Sequence, residues 1–124
     1  MGERRLLTAS CALLAGLLFM ACGGGEEVSG PMRPMNVVGT EMAFAAPERV
    51  PAGHYQLTFQ NAGATYHELA VKNPDGKIVT RRSIAGGRFT NVDVKLTEGT
   101  WELACYEPGH YEAGMHRQLV VDKP

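Results

Sequence analysis

Beyond residue 22 the chain has one cysteine, Cys105, so no disulfide can form within the folded part. No Cys-x-x-Cys-His run exists, which removes covalent haem attachment. No basic run occurs either. After Cys22 there are 10 Lys and Arg against 12 Asp and Glu, and nothing in that balance suggests nucleic acid. No internal repeat is visible. After the first residues no apolar stripe has helical spacing. With four histidines in all, a set of coupled multicopper centres cannot be built, and Ser83 lacks a His-and-carboxylate context. The chain is not expected to be an enzyme.

The first residues resemble an export signal. Arg4 and Arg5 precede the mostly apolar stretch from Leu6 to Met20, which is shorter than the ~20 residues of a membrane span. Phe19-Met20-Ala21-Cys22 resembles a bacterial lipoprotein cleavage box, with Phe19 where leucine is usual. Cleavage before Cys22 would leave that cysteine to be diacylated, and two acyl chains give stable membrane residence. Ordinary signal cleavage between Ala21 and Gly25 is the alternative. Residues 1–21 are thus read as signal, 22–34 as a polar tether that includes Gly23-Gly24-Gly25-Glu26-Glu27, and 35–124 as one small domain. The expected location is the cell envelope, on the periplasmic side, and the expected state is a lipid-anchored monomer.

In that domain short alternating segments are separated by Gly, Pro, Asn and Asp, the pattern of an all-β sandwich. Tyr55, Leu57 and Phe59 share one strand face. Phe89, Val92, Val94 and Leu96 mark another strand, whose alternation slips at Asn91 and suggests a bulge. Trp101, Leu103 and Cys105 share a parity, as do His67, Leu69 and Val71. Cys105 and His67 therefore each end a run of interior residues, and they can converge at one pole of the sandwich. Pro108-Gly109 and Gly114 let the following loop turn sharply, and Met115 returns to the core parity of Leu119 and Val121.

Cys105, His110 and Met115 have four residues in each gap. A thiolate, two imidazoles and a weak axial thioether form the donor set of a blue-copper site, and these soft and borderline donors suit both Cu(I) and Cu(II). A lone exported thiol is a liability unless a metal holds it as thiolate. Against the ligand reading stand a buried Cys acting as a small hydrophobe, an interior His67 bonded to a carbonyl, and Met115 as a core filler. His54 is expected on a solvated face. His116 is expected to be exposed, Trp101 in the core, and Tyr106 and Tyr111 packed on the loop. Met32, Met35 and Met42 are read as core or tether, and Glu107 and Glu112 as local negative charge near His110.

The chain resembles the cupredoxin family of small blue copper proteins over nearly all of Val37 to Val121. The resemblance lies in Pro51-Ala52-Gly53 before a strand, Asn61-Ala62-Gly63 leading to His67, and Cys105 through Met115. The loop spacing is similar to the auracyanin, rusticyanin and sulfocyanin branches, whereas plastocyanin-type loops are shorter between Cys and His. The resemblance implies a Greek-key β-barrel of seven or eight strands with His67, Cys105, His110 and Met115 as ligands of one copper ion. It further implies one-electron traffic between a redox protein donor and acceptor. A copper carrier or storage protein is the rival expectation. Many members place Asn directly after the upstream His, and here that position is Glu68.

Overall fold

A computed structural model describes residues 28–124. The expected signal, Cys22 and the first part of the expected tether lie outside the described residues. Nine strands follow one another: β1 Arg33–Thr40, β2 Ala43–Ala45, β3 Arg49–Pro51, β4 Gly53–Asn61, β5 His67–Lys72, β6 Ile78–Ile84, β7 Phe89–Leu96, β8 Gly99–Ala104 and β9 His116–Asp122. Seven of these are long. β2 and β3 have three residues each, too short to stand out as alternation in the sequence.

The strands form two sheets, in the orders β2-β1-β4-β7 and β3-β9-β8-β5-β6. Consecutive strands repeatedly change sheet, as in a Greek key. Two pairings, β1 with β4 and β3 with β9, are parallel, and the rest are antiparallel. β1 begins at Arg33, ahead of the expected domain start at 35, and Val28 is already buried.

Between the sheets lies one apolar core. Tyr55, Leu57 and Phe59 enter it from β4, Leu69 and Val71 from β5, and Trp101 and Leu103 from β8. Period-2 alternation carries the packing, as the sequence indicated. The expected bulge at Asn91 is absent. β4 and β7 pair without a break from Gly53↔Leu96 to Gln60↔Phe89. Phe89 points outward instead and is 69% exposed, so the core residues Val92, Val94 and Leu96 keep strict alternation without it. The register shift among these pairings lies at Val71/Lys72 on β5.

Candidate metal centre

Strand register brings the chemistry together. Ala70 pairs with Ala104, so β5 runs on past the end of β8 towards its own start at His67. Ala104 pairs with His116, which sets Cys105 against Met115, and the Cys105 amide donates to the Met115 carbonyl at 3.0 Å. One end of β8 and the starts of β5 and β9 thus meet at a single pole. His110 arrives on the intervening turn, held by its amide on the Glu107 carbonyl (2.9 Å) and by the Met115 amide on its own carbonyl (2.9 Å). Gly109 and Gly114 adopt φ of 80° and 100°, left-handed backbone that an L side chain rarely accepts and that closes this turn.

His67 Nδ1 lies 3.2 Å from His110 Nδ1, and that same nitrogen lies 3.4 Å from Cys105 Sγ. All three donor atoms fall within 4.8 Å of one another. Two nitrogens each about 2.0 Å from a shared ion at a trigonal angle stand about 3.5 Å apart, so the spacing fits one first-row ion. His67, Cys105 and Met115 are completely buried, and His110 is half-buried at the tip of the turn. Burial pushes the Cys105 thiol up, and burial followed by the neighbouring His110 pushes His67 down. Neutral donors are favoured until a cation arrives, whereupon a coordinating thiol gives up its proton. A cluster whose donors are one sulfur and two imidazole nitrogens, with no carboxylate oxygen among them, suits copper rather than calcium or magnesium.

Surrounding groups fix these side chains. The Glu68 amide donates to Cys105 Sγ at 3.2 Å. Glu68 itself is buried on the outer face of β5, where Arg81 of β6 binds its Oε2 at 2.7 Å and Oε1 has no partner. Ser83 of β6 donates to Glu107 in the ligand loop. The far nitrogen of His67, Nε2, is buried without a hydrogen bond, 3.8 Å from Glu41 Oε1. Glu41 accepts the Ala64 amide at 2.6 Å, and that bond chiefly holds its carboxyl below the usual range. A Cβ on Gly63 would come 2.7 Å from His67 Nε2, so only glycine fits there.

The sequence pattern did not reveal the part played by Asn61. Fully buried, it donates to the Thr65 carbonyl (2.8 Å) and the Ile84 carbonyl (2.9 Å) and accepts the Gly63 amide (2.9 Å). It thereby joins the segment leading to His67 to the β6–β7 connection. Asn61-Ala62-Gly63 was a visible signal, because asparagine readily bonds an amide two residues on. Its second partner, Ile84, is 23 positions distant. Other assignments are simpler. Trp101 is core and Met35 is buried, while Met32 is exposed. His54 is not merely solvated, since its Nε2 lies 2.7 Å from the Val28 carbonyl. His116 is exposed yet stacks on Tyr111.

No protein-family model and no curated protein matches the sequence. Solved structures do. A dithionite-reduced auracyanin from Roseiflexus castenholzii superposes with a TM-score of 0.62 at 18% identity, covering 71% of this chain and 95% of that one. Auracyanin A from Chloroflexus aurantiacus, described as a blue copper protein, gives 0.59 at 20% identity, covering 74% and 100%. Reduced rusticyanin gives 0.58 at 18% identity, covering 76% and 81%. The chain has the cupredoxin fold. Within that fold His67, Cys105 and His110 converge at one end, and Met115 lies beside Cys105 in the backbone pairing there.

Proposed function

We propose that this chain is a member of the cupredoxin family and a type 1 copper protein that shuttles single electrons outside the cytoplasm. The convergence of His67 Nδ1, His110 Nδ1 and the Cys105 sulfur in a buried pole carries the reading. His67, Cys105, His110 and Met115 would hold the ion. Copper bound there would supply a one-electron Cu(I)/Cu(II) couple.

The chain's own part is to hold the donors still. β8 and β9 fix Cys105 and Met115 through paired backbone, the Glu68 amide orients the sulfur, and the turn closed at Gly109 and Gly114 presents His110. Rigid donors let a metal change oxidation state with little movement. His110 is the one of these four side chains that is only partly buried, which makes its outer edge the route for electrons. Ala113 and Gly114 beside it are exposed and uncharged, suiting brief contact with a redox protein donor or acceptor. Export, and anchoring through lipid on Cys22, complete the proposal. They rest on the sequence of residues 1–22.

A visible and electron paramagnetic resonance spectrum of the copper-loaded soluble domain tests the function. An intense blue charge-transfer band with reversible reduction is expected. Cys105→Ser should abolish the band and leave a folded sandwich, and a band that persisted would refute the ligand assignment. A colourless site that takes only Cu(I) would favour a copper carrier.

A further inference from the structure

Each loop residue proposed as a ligand is followed at once by a ring: Cys105 by Tyr106, His110 by Tyr111, and Met115 by His116. The five-residue recurrence that brings sulfur, nitrogen and sulfur inward brings these three rings together outside. Tyr111 stacks on Tyr106 with centroids 5.2 Å apart and planes 10° from parallel, and on His116 at 4.2 Å and 15°. Offset stacks of this kind are favourable beyond the area they bury.

A polar circuit closes around the stack. The Tyr111 hydroxyl donates to Glu102 Oε2 at 3.2 Å, Lys72 Nζ pairs with Glu102 Oε1 at 2.6 Å, and Lys72 also donates to the Tyr106 hydroxyl at 3.4 Å. Lys72 belongs to β5, Glu102 to β8 and His116 to β9. Three strands of one sheet therefore grip the loop from outside.

We propose that Tyr111 is the positioning residue of the ligand loop, its ring locking the outward side chains that follow Cys105, His110 and Met115 and so fixing the direction of the inward ones. The inference rests on the copper reading for its purpose but on this chain's own stack for its geometry. A peptide unit whose following side chain is clamped cannot rotate freely. The donor before it then keeps one direction even without metal. Burial of the donors alone would not achieve this for His110, which is only half-buried.

Tyr111→Leu removes the ring, and Tyr111→Phe keeps the ring while losing the bond to Glu102. The first measurement is amide hydrogen exchange on the metal-free protein. Faster exchange is expected in Tyr111→Leu at His110 and Met115, with Phe59 in the core unchanged and wild-type behaviour restored in Tyr111→Phe. The second is Cu(II) affinity by chelator competition, with the copper hyperfine splitting. About tenfold weaker binding and an altered splitting are expected for Tyr111→Leu alone. Should Tyr111→Leu fail to fold, Tyr106→Leu removes the ring at one end of the stack and takes the same readouts. Exchange and splitting equal to wild type would overturn the proposal. So would uniform acceleration at every amide, or a Tyr111→Phe protein as loosened as the leucine variant. Wild-type protein without a blue band would defeat the copper reading, while the exchange pattern would still decide the clamp.

Discussion

The two sheets of this sandwich have unlike outer faces. On the β2-β1-β4-β7 sheet, Gln56, Thr58 and Gln60 face outward, Gln56 bonded to Asp93 at 3.3 Å and Thr58 to Asn91 at 3.0 Å, with Gln60 opposite the exposed Phe89. On the other sheet Glu68 and Ala70 point away from the core yet are buried, with Ala70 and its partner Ala104 at 0% exposure. Glu68–Arg81, Lys72–Glu102 and the Tyr106–Tyr111–His116 stack share that side. One sheet is a scaffold with a core face and a wet face. The other is also covered in the middle of its outer face, at Glu68, Ala70 and Ala104, although β6 stays largely exposed, and Cys105, His67 and Met115 stand at the ends of its strands. A site that must hold its donors rigid gains from a sheet that solvent does not loosen.

The largest effect should come from the joint between the sheets. Asn61→Ala strands three partners, two of them carbonyls in the walls around His67. An unsatisfied buried polar group costs about 1–3 kcal/mol, so a loss of about 3 kcal/mol is expected by urea unfolding, with weaker copper binding. An unchanged midpoint would deny Asn61 that role.

A paired substitution tests the contrast directly. Ala70→Leu overfills the covered face and should cost about 1–3 kcal/mol. Gln60→Leu on the wet face should stay within about 0.5 kcal/mol. Equal costs in thermal or urea denaturation would erase the difference between the sheets.

Glu68→Gln separates stability from redox tuning. Arg81 is more than half exposed, so the pair should contribute under about 1 kcal/mol. Removing a buried negative charge whose field reaches the Cys105 sulfur would destabilise oxidised copper more than reduced copper, which raises the potential. A one-electron couple moves about 59 mV per tenfold change, and a rise on that order is expected by voltammetry. A fall would reverse the electrostatic reading.

The smallest effect belongs to Lys72, whose ammonium is held above its ordinary 10.5 first by the hydrogen bond to Glu102 and then by that to Tyr106. A folded-state value above the unfolded one means the contribution is complete below pH 10.5 and lost as pH rises beyond it. Lys72→Met should therefore be less stable than wild type by about 0.5–1 kcal/mol at neutral pH, with the gap closing in strong alkali. A gap that widened with pH would contradict the pairing.

Much of the fold was legible because strand parity is a local property. Leu57 with Phe59, and Leu103 with Cys105, show their buried faces through two-residue spacing alone. Phe89 was misplaced because hydrophobicity alone does not say which face of a strand a residue takes, and its parity puts it on the solvent side, opposite Val92, Val94 and Leu96. Glu68 was legible as a departure from the resemblance, but its partner was not. Arg81 lies across the β5–β6 ladder, and only register makes Ala70 its neighbour and Glu68 its reach.

By itself the sequence determined the donor types, their even spacing along one loop, and a single thiol beyond residue 22, since these are matters of residue identity and order. Tertiary structure alone decided which nitrogen of His67 faces His110, which strands cover Glu68, and that three rings meet behind the loop. Those outcomes depend on contacts between segments tens of residues apart, and such contacts exist only once the two sheets have closed on each other.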